Sequence, residues 1–410
     1  FAWTVYQNAT FSHSNGLVTF TGATLTSAST QFYGLHDHPL YNVIINASGK
    51  TYYLKTAGEF DNNLTITAGT FNTGGDSDSN LTVGGQTHIN GGTLICNGST
   101  LSLGQTDLSP ADDTWGLRVQ SGTFTGGTGD HTISSHYSQA GTTTLTSGDT
   151  LFNGFNTSAA SPLKVVGGTW SQTAGKVIFN GTNQQAIHLQ KSIQFHDVEF
   201  KFAYEMEVFN WGVSYTITIG GTLTIDASSG FNTKYVSGGA DYDNVLTVTG
   251  AATINGTLDT YGSGGGKTTT LGSLTIGSGG TYKATSGTTI ITSEAAGYVF
   301  DNGGTFTHNN GTVKITCPTQ TSARGLSGTD GFYNLTYAGT GTNEDLVLGA
   351  NTDFYGQFII DSANSAVQAQ GHTFNYYGPV IIKQGKWEIG TTTQNCYSGV
   401  RNIGGSVDIT

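Results

Sequence analysis

Along most of the chain an apolar residue alternates with threonine, serine or asparagine for three to five positions. A glycine or Asn-Gly pair then interrupts the run, as in NLTITAGTFNTGG (63–75), YTITIGGTLTIDASSG (215–230) and VLTVTGAATINGTLDTYGSGG (245–265). Alternation at period two sends one set of side chains inward and the other outward, which is the signature of a half-buried strand. Glycine-containing turns every six to ten residues bend the chain before any strand grows long. No apolar stripe of helical period with capping residues is found, so the pattern predicts an all-β protein.

Among all-β folds, sandwiches of the immunoglobulin type space their turns more widely and close into modules of about 100 residues. The strand-and-turn unit here is shorter and resembles itself along the chain, which predicts a parallel β-helix, or β-solenoid, with inserted hairpins. In that fold each strand bonds to its counterpart one coil above and below, and inward side chains stack in ladders. Coils of about 20–25 residues would give roughly 16–20 coils.

A longer repeat lies over this rhythm. NATFSHSNGLVTFTG near the start, GGTWSQTAGKVIFNG (167–181) and GGTFTHNNGTVKITC (303–317) align on Phe11, Trp170 and Phe306. Gly16, Gly175 and Gly311 then coincide, as do Val18, Val177 and Val313, and Phe20, Phe179 and Ile315. About twenty residues after each comes a second shared phrase: LYNVIIN (40–46), FHDVEF (195–200) and FYNLTY (332–337). The closing GGSVDIT echoes the repeat with Val407 and Ile409. The copies predict three solenoid modules, 1–169, 170–305 and 306–410, as parts of one rod, with the repeat marking a fixed corner of a coil.

Composition narrows the function classes. Charged residues are 10% of the chain, against about 25% in an ordinary globular protein, and Ser and Thr make up about a quarter. With 36% hydrophobic and 11% aromatic residues in alternation, the chain has enough apolar surface to fold. A net charge of −12 with 15 Lys+Arg, and Arg118, Arg324 and Arg401 scattered singly, argues against nucleic acid as a partner. No apolar run is long enough for a membrane span, and an opening of FAWTVYQ reads as a processed or excised segment. Three cysteines, Cys96, Cys317 and Cys396, exclude a disulfide framework but leave room for one bridge, and the first two read as small buried hydrophobes in strands.

GKVIFNGTNQQAI followed by FHDVEF, GTVKIT followed by FYNLTYAGTG, and YTITIGGTLTI resemble the Gly/Thr-rich repeats of prokaryotic surface proteins and adhesin stalks with a right-handed parallel β-helix. The resemblance covers most of the chain and implies a non-enzymatic spacer, filament or adhesive rod outside the cell. A fold resemblance does not itself carry a function.

Several motifs carry candidate chemistry. Pectin-degrading β-helices use NTD, DD and GHG segments in that order. Here Asp112-Asp113 precedes Asn351-Thr352-Asp353 and Gly371-His372, with no basic segment after it, so the carboxylates are not placed as an acid–base pair. GGDSDSN (Asp76, Asp78, Asn80) and GGADYDN (Asp241, Asp243, Asn244) offer hard oxygen ligands for Ca²⁺, without the bidentate glutamate of an EF-hand, and solvated acidic turns are the simpler reading. His36 and His38 flank Asp37 and on a strand would face the same way, as two ligands of a transition metal, but no third ligand is evident. Sequons stand at Asn8, Asn46, Asn63, Asn80, Asn97, Asn156, Asn180, Asn255, Asn310 and Asn334, a modest excess for so Ser/Thr-rich a chain, and make a glycoprotein plausible. The aromatic stretch 200–215, with Phe202, Tyr204, Met206, Phe209 and Trp211, reads as a hairpin packed on the rod or, functionally, as a subunit or sugar contact.

The sequence thus predicts an extracellular β-solenoid at the cell surface that polymerises head to tail into a filament or serves as an adhesin stalk, with itself as partner and glycans or cell surfaces as further partners. The chain stops inside a further copy of the repeat, where an open coil edge would favour polymerisation. No enzyme activity or cofactor beyond Ca²⁺ is expected. The rival is a carbohydrate-binding or carbohydrate-cleaving β-helix of the phage tailspike kind.

Overall fold

A computed structural model describes residues 2–4, 12–22, 30–74, 77–104, 115–153, 161–181, 185–210, 212–234, 236–237, 240–262, 266–292, 298–316, 324–328, 330–339 and 345–408. Among these there is no helix, and parallel strands stack as a β-solenoid of about 14 turns. The chain divides into two compact units, Phe1–Tyr204 and Glu205–Thr410.

In the first unit the strands stack as faces of a coil. One face runs through Leu81–Val83, Leu101–Leu103, His131–Ser134, Thr150–Asn153, Lys176–Gly181 and Asp197–Phe202, every neighbouring pair parallel. A second runs through Thr87–Ile89, Trp115–Val119, His136–Gln139 and Leu163–Val165, and a third through Thr93–Ile95, Thr123–Thr125, Thr142–Thr144 and Thr169–Ser171. The predicted alternation holds in detail: Leu81 and Val83 are buried around an exposed Thr82, and Val177 and Phe179 are fully buried around Ile178.

The second unit repeats the scheme. Thr288–Ile291 pairs with Thr312–Ile315, then Asn334–Tyr337, then Phe358–Ala369, then Val380–Glu388, all parallel. Among the described residues one antiparallel hairpin, Val236–Ser237 with Ala240–Asp241, is inserted in it. The 200–215 stretch, expected as a hairpin, instead supplies coil strands: Asp197–Phe202 lies parallel to Lys176–Gly181, and Glu205–Asn210 lies parallel to Gly230–Asn232.

Two features differ from the sequence expectation. Coils are fewer than 16–20, because insertions lengthen some of them. His131 pairs with Leu101, 30 residues back, across the insertion at 105–114, whereas Thr150 pairs with His131 only 19 residues on. Some strands are also longer than five residues: Asn42–Leu54 has 13, and it passes a coil corner through register shifts after Ile45 and Asn46 instead of stopping. Gly69 on the next coil, at φ 83°, packs under that corner, where a Cβ would lie 2.3 Å from the Ala47 carbonyl oxygen.

The register explains the linked phrases. Lys176 pairs with Asp197, Leu17 with Asn42 and Thr312 with Asn334, so each second phrase is the first phrase's neighbour one coil on, 21, 25 and 22 residues away. The same backbone bond recurs in all three: the amides of Asn42, Asp197 and Asn334 donate to the carbonyls of Gly16, Gly175 and Gly311, each at 3.2 Å. The corner itself is conserved in geometry between the first and third copies. Ser14 and Asn15, and Asn309 and Asn310, hold positive φ, and the Nδ1 atoms of His13 and His308 accept from the amides of Asn15 and Asn310 at 3.0 Å. Those histidines then lie against Tyr41 and Tyr333 of the second phrase, with ring centroids 5.1 and 5.7 Å apart. In the middle copy Gln172 replaces the histidine and its Oε1 accepts from the His196 amide at 3.2 Å.

Threonine serves the interior as well as the surface. Tyr137 and Tyr282 are fully buried, and their hydroxyls meet Thr143 at 2.5 Å and Thr289 at 3.0 Å inside the coil. A buried phenol without such a partner would be costly. Phenylalanines stack along the core: Phe152, Phe179 and Phe200 lie face to face with centroids 5.3 and 5.2 Å apart.

Candidate functional site

The most regular exposed feature is a pair of ladders on the second unit. Thr352–Phe354, Phe374–Tyr376 and Gln394–Cys396 form a three-stranded parallel sheet. The alternation that turns Phe354 and Tyr376 inward turns Asp353, Asn375 and Asn395 outward, one above another. Asn375 Nδ2 donates to Asp353 Oδ1 and Asn395 Nδ2 to Asn375 Oδ1, both at 2.7 Å. The end of each strand leads into a tyrosine. Tyr355, Tyr377 and Tyr397 donate their amides to Phe332, Phe354 and Tyr376 of the coil before, at 2.9, 2.8 and 2.9 Å, which fixes them in line.

Their side chains stand on the surface, 47%, 45% and 65% exposed. The rings are nearly parallel: 6° and 5.6 Å between Tyr355 and Tyr377, 8° and 5.1 Å between Tyr377 and Tyr397. His308 closes the lower end, 5.6 Å from Tyr355. Tyr355 Oη reaches Asp353 Oδ2 at 3.5 Å, and partial desolvation, with the Asp353 charge beside it, raises its phenol above the usual tyrosine value. Because the rings cover one another's faces, this surface presents edges and hydroxyls rather than flat ring faces.

A second feature is a groove of about 560 Å³ that crosses successive coils, lined among others by Asp345, Asn364, Ser365, Lys386, Glu388 and Ser406. Lys386 is held by Glu388 at 2.8 Å and by Asp408 at 2.7 Å, and these bonds raise its pKa. Asp345 receives the Ala366 amide at 2.9 Å and Gln368 Nε2 at 2.7 Å. Lys386 thus pairs with Glu388 on its own strand and with Asp408 on the next coil, and with Asp345 the carboxylates outnumber the lysine, which leaves the groove net negative.

The residues singled out from the sequence fall as follows. Asp78 and Asn80 are exposed, and their side chains accept from the amides of Gly98 and Thr100 on the next coil at 3.0 and 3.1 Å. Asp243 is buried, while Asn244 is fully engaged between Thr233, Tyr215 and Asn210. Asp76 and the side chain of Asp241 lie outside the described residues. Among the described residues no three His, Cys, Asp or Glu side chains converge in a group able to hold a metal. His36 is exposed, with Nδ1 3.9 Å from Glu59.

Of the sequons, Asn46, Asn80, Asn97 and Asn310 are exposed and Asn63, Asn180, Asn255 and Asn334 are half-buried. Asn8 and Asn156 lie outside the described residues. Phe202 and Met206 face the interior at 4% and 0% exposure, Phe209 is half-buried, and Tyr204 is 49% exposed. Trp211 lies outside the described residues. Asp353 of the NTD segment belongs to the outward ladder above, and Asp112 and Asp113 are outside the described residues. Cys96 is a free, buried thiol whose pKa burial pushes up, Cys396 is free and half-buried, and Cys317 is outside the described residues.

The tyrosine ladder was not singled out from sequence, although a signal was there. DFYG (353–356), NYYG (375–378) and NCYS (395–398) recur at spacings of 22 and 20, one coil each. No protein-family model, curated protein or solved structure matches the chain. Among the described residues no helix is long and apolar enough to cross a membrane.

Proposed function

We propose that the protein is a structural, non-enzymatic β-solenoid of the cell exterior, the subunit of a surface filament or the stalk of an adhesin, assembling head to tail. The observation that supports this most is the use to which polar side chains are put. Asn42 with Asn62, Asn153 with Asn180, Asp353 with Asn375 and Asn395, and the pairs Lys176–Glu199 and Lys283–Asp259 each tie one coil to the next. Since every coil bonds to its neighbours through the same parallel register, the contact that joins coils is one that can join copies, and a repeated heterologous contact gives an open filament. Electron microscopy with sedimentation of the purified protein tests it. Fibres that lengthen with concentration support the reading, and particles that stay single at all concentrations overturn the filament form.

A second reading, carbohydrate binding, is favoured by the groove at Lys386, whose coil-crossing path and hydroxyl, amide and carboxylate lining suit a neutral, hydroxyl-rich chain better than a polyanion. Calorimetric titration with neutral and uronate oligosaccharides tests it: neutral binding that Lys386→Ala abolishes supports it, and no heat with either class rejects it.

A further inference from the structure

We propose that Tyr355, Tyr377 and Tyr397 form an oxidative cross-linking site, in which neighbouring rings couple to dityrosine and tie successive coils covalently. Three observations carry it. The rings are 5.6 and 5.1 Å apart, so the ortho carbons of neighbours are within reach of a small side-chain rotation. All three are 45–65% exposed, which leaves the phenols accessible to an oxidant and the side chains free to turn. The backbone under them is fixed by the amide bonds to Phe332, Phe354 and Tyr376, so the pairs are held in place rather than meeting by chance. Other exposed tyrosines, Tyr204, Tyr261 and Tyr298, show no such partner ring among the described residues.

The chemistry balances with a peroxide as oxidant, acting through a haem peroxidase. Each of two phenols loses one electron and one proton to become a phenoxyl radical. For Tyr355 the proton has an acceptor in Asp353, 3.5 Å from Oη, and for the other two it goes to water. The radicals join by one carbon–carbon bond between ortho positions, and the two ring hydrogens move to the oxygens as aromaticity returns. The net loss is two hydrogens, and the peroxide is reduced to two waters. The inference stands on the geometry of this face and not on the proposed structural role.

The test is peroxidase and hydrogen peroxide on the dilute, monomeric full-length protein, followed by reduction, alkylation and tryptic mapping. Lys383 and Lys386 separate the peptides 325–383 and 387–401, so a Tyr377–Tyr397 bond joins them into one species lighter by two hydrogens and stable to reductant. Tyr377→Phe keeps the ring and removes the phenol common to both pairs, so it should abolish the joined species and the Tyr355–Tyr377 link within peptide 325–383. Tyr397→Phe should abolish the joined species alone. Oxidation in urea should lose the preference for these pairs. A joined species that survives in Tyr377→Phe, links mapping mainly to other tyrosines, or equal yield from the unfolded chain would each overturn the proposal.

Discussion

Phe179 is the middle ring of the Phe152–Phe179–Phe200 stack and the equivalent of Phe20 and Ile315 in the other copies of the long repeat. It is fully buried, face to face with both neighbours, and edge-on to Phe195 at 6.3 Å. Replacing it by alanine removes the ring's transfer energy and leaves a cavity that flanking coils, locked in register by hydrogen bonds, close only in part. Such substitutions cost about 3–5 kcal/mol, and the loss of two face-to-face contacts places Phe179→Ala near the upper half of that range, about 4 kcal/mol. Phe179→Leu keeps most of the volume and forfeits chiefly the ring contacts, about 1–2 kcal/mol. Phe20 is only partly buried, so Phe20→Ala should cost less than Phe179→Ala. Urea unfolding followed by tryptophan fluorescence suits the measurement, because Trp170 lies 5.8 Å from Phe195 and 5.7 Å from Tyr137 in the same unit. A Phe179→Ala cost below about 1 kcal/mol, or one no larger than that of Phe20→Ala, would refute the stacked-core argument.

Acid should weaken the first unit. His131 is 1% exposed and burial lowers its pKa to about 4, so its contribution is intact above the ordinary value of 6.5, falls as pH drops below that, and is gone below about 4. At pH 5 the loss is about 2 kcal/mol. Unfolding measured at pH 7.5 and pH 5 should show that slope reduced in His131→Phe, with His188, also lowered to about 4, and His88, lowered by burial as well, contributing to what remains. Gly175 sits at φ 75° with the Gly148 carbonyl oxygen 2.2 Å from where a Cβ would stand, so Gly175→Ala should cost more than the roughly 1–2 kcal/mol of the left-handed conformation alone, read as a lowered urea midpoint. Asn375→Asp sets a second carboxylate against Asp353 in place of a 2.7 Å hydrogen bond. It should destabilise the second unit by about 1–3 kcal/mol at pH 7 and recover at low pH, where a pH-independent loss would show that packing, not charge, is responsible.

Much of the fold is legible in the chain because alternation and glycine punctuation act locally: the inward set Val177, Phe179, Val313 and Ile315 is where period two puts it. The pairing of the two phrases was visible as a recurrence, but its cause, adjacency one coil apart, required the register of Lys176 on Asp197. The coil number was hidden because insertions such as 105–114 and 154–160 change coil length without disturbing the strands on either side. In the aromatic stretch at 200–215, composition drew attention to every ring, while alternation had already turned Phe202 and Met206 inward. The tyrosine ladder escaped notice because each member looks like an ordinary residue before a glycine or serine turn. Only stacking makes Tyr355, Tyr377 and Tyr397 neighbours.

The measurement that bears most directly on the account is inter-strand nuclear Overhauser contacts between Lys176–Gly181 and Asp197–Phe202 in deuterated protein with labelled methyl groups and aromatic rings. Parallel stacking predicts contacts at a constant difference of 21, Val177 with Val198 and Phe179 with Phe200. Contacts at a constant sum, as an antiparallel hairpin would give, would contradict it.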